Sequence, residues 1–275
     1  METKGKWETI VRRLEALLRL KTFPVAISLL EDPEELAKNK WARRPIKGST
    51  LCQAINIVRT FDWTVGFTAE EISSECGSII GLVDFEDLPE ELKNGAFRNL
   101  VWCKTKEDGR KFEHSIQRIP NKYKAVILAP LVYSASDPDL ILVYANPAQM
   151  ILIINALQFE DYERLQFFCV GEGSCSDAIA GCYLTRKPSL TIPCYGERRY
   201  GHAQDDELVM GLLPEHLEKV ERNLEQLYMR GITYPIPFSG AQVDISSSMP
   251  LSYQAFGEGV SIEGFEVPLR KITRW

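Results

Sequence analysis

The chain has 275 residues, of which 45% are apolar and 25% are charged. These proportions are those of a globular protein and exclude a disordered chain or a coiled coil. The formal net charge of −6 argues against a nucleic-acid-binding surface, since such surfaces need a net basic footprint. No apolar run approaches the roughly 20 residues of a transmembrane helix, and the amphipathic N-terminus does not resemble a signal peptide. We therefore expect a cytoplasmic protein that binds neither membranes nor nucleic acid.

Helical and extended patterns alternate along the chain. Helices are indicated by apolar residues at helical spacing and by capping residues, and strands by continuous apolar runs between turn residues. In chain order the pattern predicts a helix over 8–20, a strand over 23–30, helices after Asp32 and over 51–59, strands over 63–67, 124–131 and 139–146, a helix from Pro147, a strand over 165–170, a helix over 178–185, strands over 189–194 and 207–212, and a helix over 214–230. This alternation favours an α/β or α+β fold, a mixed sheet with flanking helices in a single domain. We expect that domain over residues 1–231 and an extended C-terminal tail over 232–275.

The predicted strand over 139–146 runs directly into a helix. Asn146 suits the N-cap of that helix and Pro147 its first position. In open α/β sheets, ligands bind outside the carboxyl ends of the strands. Asn146 and Gln149 are therefore candidate ligand-binding residues.

The seven cysteines are the feature that most suggests chemistry. None forms a C-x-x-C pair, which excludes a zinc ribbon, a ferredoxin run and a thioredoxin motif. Four lie at the ends of predicted elements beside Gly, Ser or Thr, where free backbone N–H groups stabilise thiolate or sulfide. These four are Cys52, Cys76, Cys175 and Cys194. They are candidate ligands of a [4Fe–4S] cluster or a zinc ion; the alternatives are buried free cysteines or a single reactive thiol.

The remaining cysteines and two aromatic residues are predicted to lie in the hydrophobic core. Cys103 and Cys169 lie in apolar, strand-like sequence, and Cys182 lies on the apolar side of a predicted helix. Such cysteines behave as small hydrophobic residues. Trp63 and Phe67 are likewise assigned to the core rather than to a base-stacking surface.

The segment 194–202 has the densest polar sequence. Gly196 would let the backbone approach a ligand closely, and Arg198 and Arg199 could hold a carboxylate or phosphate. His202 could titrate near neutrality. The alternative is a solvated loop with turn glycines.

Several of these pieces occur together in a known family. They are the segment 23–27, the segment 51–54, Cys76 with Gly81-Leu82, the segment 146–150, Cys175 followed by Ala178, and the segment 194–198. In this order they resemble the domain of unknown function 169 family, an uncharacterised family common in archaea and anaerobic bacteria. The resemblance implies a site rather than a reaction, and it strengthens the assignment of the four cysteines as a group.

These observations support one preferred function and two alternatives. The preferred one is a cytoplasmic iron–sulfur protein, in which the four thiolates hold a [4Fe–4S] cluster for electron transfer or for redox chemistry on a small anionic ligand. The residues expected at its rim are Asn146, Gln149, Gly196 and Arg198. Its partner would be that ligand or a redox partner protein. The alternatives are a cofactor-free binding module for a small anionic metabolite, with the cysteines as packing, and a transferase with Cys175 as nucleophile.

Overall fold

The computed structural model describes residues 2–134, 136–167, 169–237, 250 and 253. Within these residues the helices are α1 (Glu2–Leu18), α2 (Pro33–Lys38), α3 (Leu51–Phe61), α4 (Ser74–Ile79), α5 (Glu90–Lys93), α6 (Ala96–Val101), α7 (Lys106–Ser115), α8 (Pro147–Gln158), α9 (Cys182–Thr185), α10 (Tyr195–Gly201) and α11 (Pro214–Met229). The strands are β1 (Val25–Leu30), β2 (Val65–Phe67), β3 (Ala125–Pro130), β4 (Leu140–Ala145), β5 (Ser189–Thr191) and β6 (Leu208–Leu212). A π-helical turn over Ser176–Gly181 leads directly into α9.

The six strands form one sheet in the order β2-β3-β1-β4-β6-β5. The central strand β1 pairs with both β3 and β4, so that Ile27 lies opposite Leu128 on one side and Leu140 on the other. All five strand pairings are antiparallel rather than mixed in direction. The structure therefore confirms a sheet with flanking helices and selects α+β from the two predicted classes.

Each face of the sheet carries its own core. On the first face, Ile27 and Leu128 pack against residues of α3 and α4 and of the π-helical turn. On the second face, Val143 and Leu212 pack beneath α1, α8 and α11, whose Trp7 is fully buried. The first core is the one that adjoins the predicted cysteine site.

Local interactions set the start of the helix that carries Cys52. The Thr50 hydroxyl accepts a hydrogen bond from the Gln53 backbone N–H at 3.3 Å, and the Gln53 side chain accepts one from the Thr50 N–H at 2.9 Å. This reciprocal capping box fixes the first turn of α3. Cys52 lies in that turn, and its thiol is directed to the Gly196 carbonyl of α10.

The π-helical turn is packed closely on the sheet through Gly211 of β6. A Cβ at Gly211 would overlap the carbonyl oxygen of Ala178 and would lie 3.1 Å from the Cβ of Cys182. A glycine in a strand often marks such a close backbone approach. Gly211 thus lets the turn that follows Cys175 rest directly on β6.

The predicted strand over 165–170 is wrong for the residues that the structure describes there. Leu165 and Phe167 pack against the second core from an irregular segment. The Val170 N–H donates to the Asp177 carboxylate at 2.9 Å instead of joining a strand ladder. Cys169 is exposed, so its assignment to the core is also wrong, whereas Cys182 is fully buried as predicted.

The structure describes mainly the start of the predicted C-terminal tail. Ile232 and Tyr234 pack against the second core after the end of α11. Apart from residues 232–237, Pro250 and Tyr253, the predicted tail lies outside the described residues. None of the helices in the described part of the chain has the length and apolar character needed to cross a membrane.

Candidate functional site: four converging thiols

Cys52 lies where the first turn of α3 meets α10. Its sulfur is 3.0 Å from the Thr50 hydroxyl, and its thiol donates to the Gly196 carbonyl at 3.8 Å. A Cβ at Gly201 would lie 2.9 Å from the Cβ of Cys52. The absence of a side chain at Gly201 therefore lets α10 approach α3 closely enough to bring Cys52 beside Gly196.

Cys194 caps the N-terminus of α10. Its sulfur accepts the Glu197 backbone N–H at 3.4 Å, as a side-chain oxygen does at an ordinary N-cap. The Cys194 N–H donates to the Ser174 hydroxyl at 3.1 Å. This bond ties α10 to the segment that carries Cys175.

The other two thiols complete the group. Burial raises the pKa of the Cys76 thiol, while hydrogen bonds from the Leu51 backbone and the Ser73 side chain lower it in part. Burial also raises the pKa of Cys175 well above its ordinary value, and negative charge on four neighbours raises it further. Those neighbours are Cys76, Cys194, Glu197 and Cys52. The four predicted cysteines, called the thiol cluster below, thus lie within electrostatic reach of one another.

The thiol cluster is partly accessible, and burial raises the pKa values of Cys52, Cys76 and Cys175. All four of its cysteines are partly buried rather than sealed in the core. Burial is also the main cause that raises the pKa of Cys52, to about 12. Burial likewise raises the pKa of Cys175 well above its ordinary value. A thiol with a raised pKa is protonated at neutral pH, which opposes the transferase hypothesis for Cys175, because the thiolate is the nucleophile.

A buried carboxylate lies against the cluster. Glu197 is 4% exposed and accepts hydrogen bonds from the Tyr144 and Ser174 hydroxyls. Burial raises the pKa of Glu197, and these hydrogen bonds oppose the rise. The Arg59 guanidinium lies 4.1 Å over the Tyr144 ring and pairs with Glu207 at 3.0 Å. The cluster is thus backed by a chain of buried polar groups that reaches from α10 to α3.

A second buried ion network supports the helix that carries Cys76. Glu75 and Glu113 both pair with Arg98, which is 3% exposed. Glu113 is completely buried and also pairs with Arg118. These ion pairs join α4 to α6 and α7. Because the loss of one partner would leave a buried charge uncompensated, they favour the observed packing of the three helices.

The four residues predicted at the rim of the iron–sulfur site differ in their hydrogen-bond partners. Asn146 and Gln149 form the capping box of α8, and Gln149 also donates to the Leu18 carbonyl at 2.8 Å. Arg198 donates to the Gln204 carbonyl at 2.5 Å. Gly196 lies beside Cys52, and its N–H donates to Glu172 at 3.0 Å. Of the four, Gly196 contacts the thiol cluster directly, and in the described residues the others use their polar groups within the scaffold.

Sequence reasoning did not single out the carboxylate and its partners. Tyr144 lies in a continuous apolar run, and 53 positions separate it from Glu197. Glu197 has one local signal, because it stands three residues after Cys194, the spacing of an N-cap and its third helical residue. Arg59 and Glu207 are 148 positions apart and carry no local signal of their pairing.

Comparisons with known proteins show the family to which the chain belongs. The model of the DUF169 family, described as Uncharacterised ArCR, matches residues 13–223. The chain belongs to the DUF169 family. It is also similar to the uncharacterised protein MJ0308 of Methanocaldococcus jannaschii, with 24% identity over 220 residues that cover 79% of this chain and 93% of that protein. No solved structure matches the chain.

The DUF169 match contains the whole thiol cluster and its supporting groups, and it ends within α11. Within the described residues, no three or more Cys, His, Asp and Glu side chains already stand in an arrangement that could hold a metal ion. What the structure brings together is a set of four thiols within electrostatic reach of one another, with the buried carboxylate of Glu197 beside them.

Proposed function

We propose that this protein binds a [4Fe–4S] cluster through Cys52, Cys76, Cys175 and Cys194. The observation that supports this most is the convergence of four thiols from four separate segments. Three of them, Cys52, Cys76 and Cys194, lie close enough to raise the pKa of the fourth, Cys175. Four thiolates are the usual ligand set of such a cluster. Cysteine packing alone gives no reason for all four to meet at one place.

The chemistry of the donor set supports the same proposal. Soft thiolate ligands select thiophilic metals and iron–sulfur clusters over magnesium or calcium. Burial is the main cause that raises the pKa values of Cys52 and Cys76, and the groups that oppose the rise are hydrogen-bond donors rather than positive charges. A bound metal centre supplies positive charge, so binding would release the thiol protons. It would also draw the sulfurs together, since they do not yet form a metal-holding group.

The surroundings would tune such a centre. Backbone N–H groups reach two of the sulfurs, from Leu51 to Cys76 and from Glu197 to Cys194. Hydrogen bonds to ligating sulfurs and the degree of solvent exposure set the reduction potential of iron–sulfur clusters. The cluster would supply one-electron transfer, with a redox partner protein or a small anionic ligand as the other reactant. A reducing cytoplasm, which keeps cysteines free, is the compartment that we propose.

The test is purification and reconstitution of the full chain without oxygen. We expect a brown protein with about four irons and four acid-labile sulfides per chain. Cys52→Ser and Cys175→Ser should lose most of the iron and the visible absorbance. The matched controls are Cys103→Ser and Cys169→Ser, which lie outside the thiol cluster and should keep both.

Two results would overturn the proposal. One is a colourless protein without bound iron after anaerobic reconstitution. The other is stoichiometric zinc held by the same cysteines, which would replace the cluster with a single-ion site. If the double variant Cys175→Ser plus Cys194→Ser keeps both its stability and the binding of a small anion, the cofactor-free module is the correct function.

A further inference from the structure

A large cleft lies on the second face of the sheet, away from the thiol cluster. Along β1 and β3, the residues that face the first core are buried, whereas four alternate residues on the opposite face are only half-buried. These are Ser28, Leu30, Ile127 and Ala129. Successive strand residues point to opposite faces, so these four form the floor of a strip of sheet that the helices leave uncovered.

The cleft has the size of a small-molecule site. Its volume is about 940 Å³, and ligand pockets typically measure about 300–1,000 Å³. One wall is α2 with the segment that follows it, and Leu36 of α2 is buried over Gly66 of β2. The Arg43 N–H donates to the Thr64 carbonyl at 3.0 Å, and the Arg43 carbonyl accepts from Gly66 at 2.9 Å. The wall is therefore held to the sheet by backbone bonds and by packing.

Three cations line this cleft without acidic partners. Within the described residues, Lys38, Lys40 and Arg43 form no salt bridge with a carboxylate. The lining also contains Glu35 and Asp62, and the Asp62 carboxylate accepts a hydrogen bond from the Tyr133 hydroxyl at 2.8 Å. Three positive charges against two negative ones is an excess of positive charge in a protein whose net charge is −6. The cleft thus carries a small net positive charge, which favours an anionic group over a cation.

Aromatic rings stand beside these cations. The Arg43 guanidinium stacks on the Trp63 ring at 3.6 Å, and Trp63 is 42% exposed, so its assignment to the core is wrong. Trp41 is 84% exposed at the rim. An indole with an uncovered face is a stacking surface for a planar ring, and a stacked guanidinium extends such a surface.

We propose that this cleft binds a free nucleotide, with its base stacked on Trp41 and the Arg43–Trp63 pair and its phosphate near Lys38 and Lys40. A nucleotide joins a planar ring to an anionic group, and the cleft offers partners for both. Inorganic phosphate would use the cations alone, and a neutral ring would use the indoles alone. This inference is independent of the iron–sulfur proposal, because the two sites share no residue.

The test is isothermal titration calorimetry of the full chain with adenosine monophosphate. Inorganic phosphate and adenosine are titrated separately. We expect the nucleotide to bind more tightly than either part. Trp41→Ala should weaken nucleotide binding about tenfold, because it removes an aromatic ring on which the base stacks. Lys40→Gln should also weaken it about tenfold, because it removes a positive charge beside the phosphate. Both side chains are exposed, so neither variant should impair folding.

The matched controls are Trp102→Ala and Lys104→Gln, an exposed tryptophan and an exposed lysine that lie outside the cleft. They should bind the nucleotide as the wild type does. No binding heat at millimolar nucleotide, or equal affinity in Trp41→Ala and wild type, would overturn the proposal. Phosphate binding as tightly as the nucleotide would do the same. Tighter binding of a short single-stranded oligonucleotide would replace the free nucleotide with nucleic acid as the ligand.

Discussion

Replacing Gly211 with alanine tests how closely the π-helical turn rests on the sheet. The added methyl group would overlap the Ala178 carbonyl oxygen, and it would lie 2.8 Å from the Ala178 carbonyl carbon and 3.1 Å from the Cβ of Cys182. Two of these three atoms are backbone, so no change of rotamer relieves the overlap. The turn must move away from β6, and overpacking that shifts the backbone costs about 3 kcal/mol.

Thermal unfolding followed by circular dichroism measures this effect. For a chain of this size, a loss of about 3 kcal/mol should lower Tm by about 6–12 °C. The matched control is Gly5→Ala, because a Cβ at Gly5 in α1 has nothing within 4 Å. That variant should gain about 0.5–1 kcal/mol, since alanine favours a helix over glycine. If Gly211→Ala melts at the wild-type temperature, the close packing of the turn on β6 is refuted.

Three further predictions follow from buried groups. Arg98→Met should lower the free energy of unfolding in urea by about 3–5 kcal/mol, because it removes one of the two arginines that pair with the wholly buried Glu113 and also the arginine that pairs with Glu75. His216 Nδ1 accepts the Leu213 N–H at 3.1 Å, and burial lowers the His216 pKa. Because the protonated ring cannot accept this bond, the free energy of unfolding of the wild type should fall by about 1 kcal/mol as the pH falls below 6.5. The His216→Gln variant should show no such fall. Burial raises the pKa of Cys182 to about 12, so iodoacetamide at neutral pH should leave it unmodified in the folded protein, as mass spectrometry can check.

Each of these predictions has a control on the same chain. Arg222→Met breaks the exposed pair with Glu160 and should cost less than about 1 kcal/mol. His114→Gln removes an exposed histidine and should keep the wild-type loss of stability at low pH. Cys169 is exposed and should be alkylated in the folded protein. Equal losses for the two arginine variants, the same pH response in His216→Gln as in wild type, or rapid labelling of Cys182 would each contradict the reasoning.

Local sequence signals located most of the regular elements. The Asp32 N-cap with Pro33, and Asn146 with Pro147, start α2 and α8 where the capping residues predict. The apolar run over 139–146 became β4, whose six residues are all buried. The run over 165–170 failed because Asp177 binds the Val170 N–H, and that contact depends on where the next helix lies.

The candidate site shows the same division. The positions of Cys52, Cys76, Cys175 and Cys194 at element ends could be predicted from neighbouring residues, and the structure brings the four together. Their metal ligation stays a prediction, as does a ligand role for the predicted rim residues. The sequence could not show that the polar groups of Asn146, Gln149 and Arg198 would form hydrogen bonds within the scaffold, to a helix N-terminus or to nearby backbone carbonyls.

Sequence by itself determined the composition class, the N-caps of α2, α3 and α8, and the strands that became β1, β3 and β4. These features depend on residues a few positions apart, whose preferences act wherever the segment lies. Only the tertiary structure decided the antiparallel order of the sheet, the contact of Glu197 with Tyr144, and the uncovered strip that opens the cleft beside Trp41. Those features depend on which distant surfaces are buried together, and that choice is made by the summed packing of the whole chain.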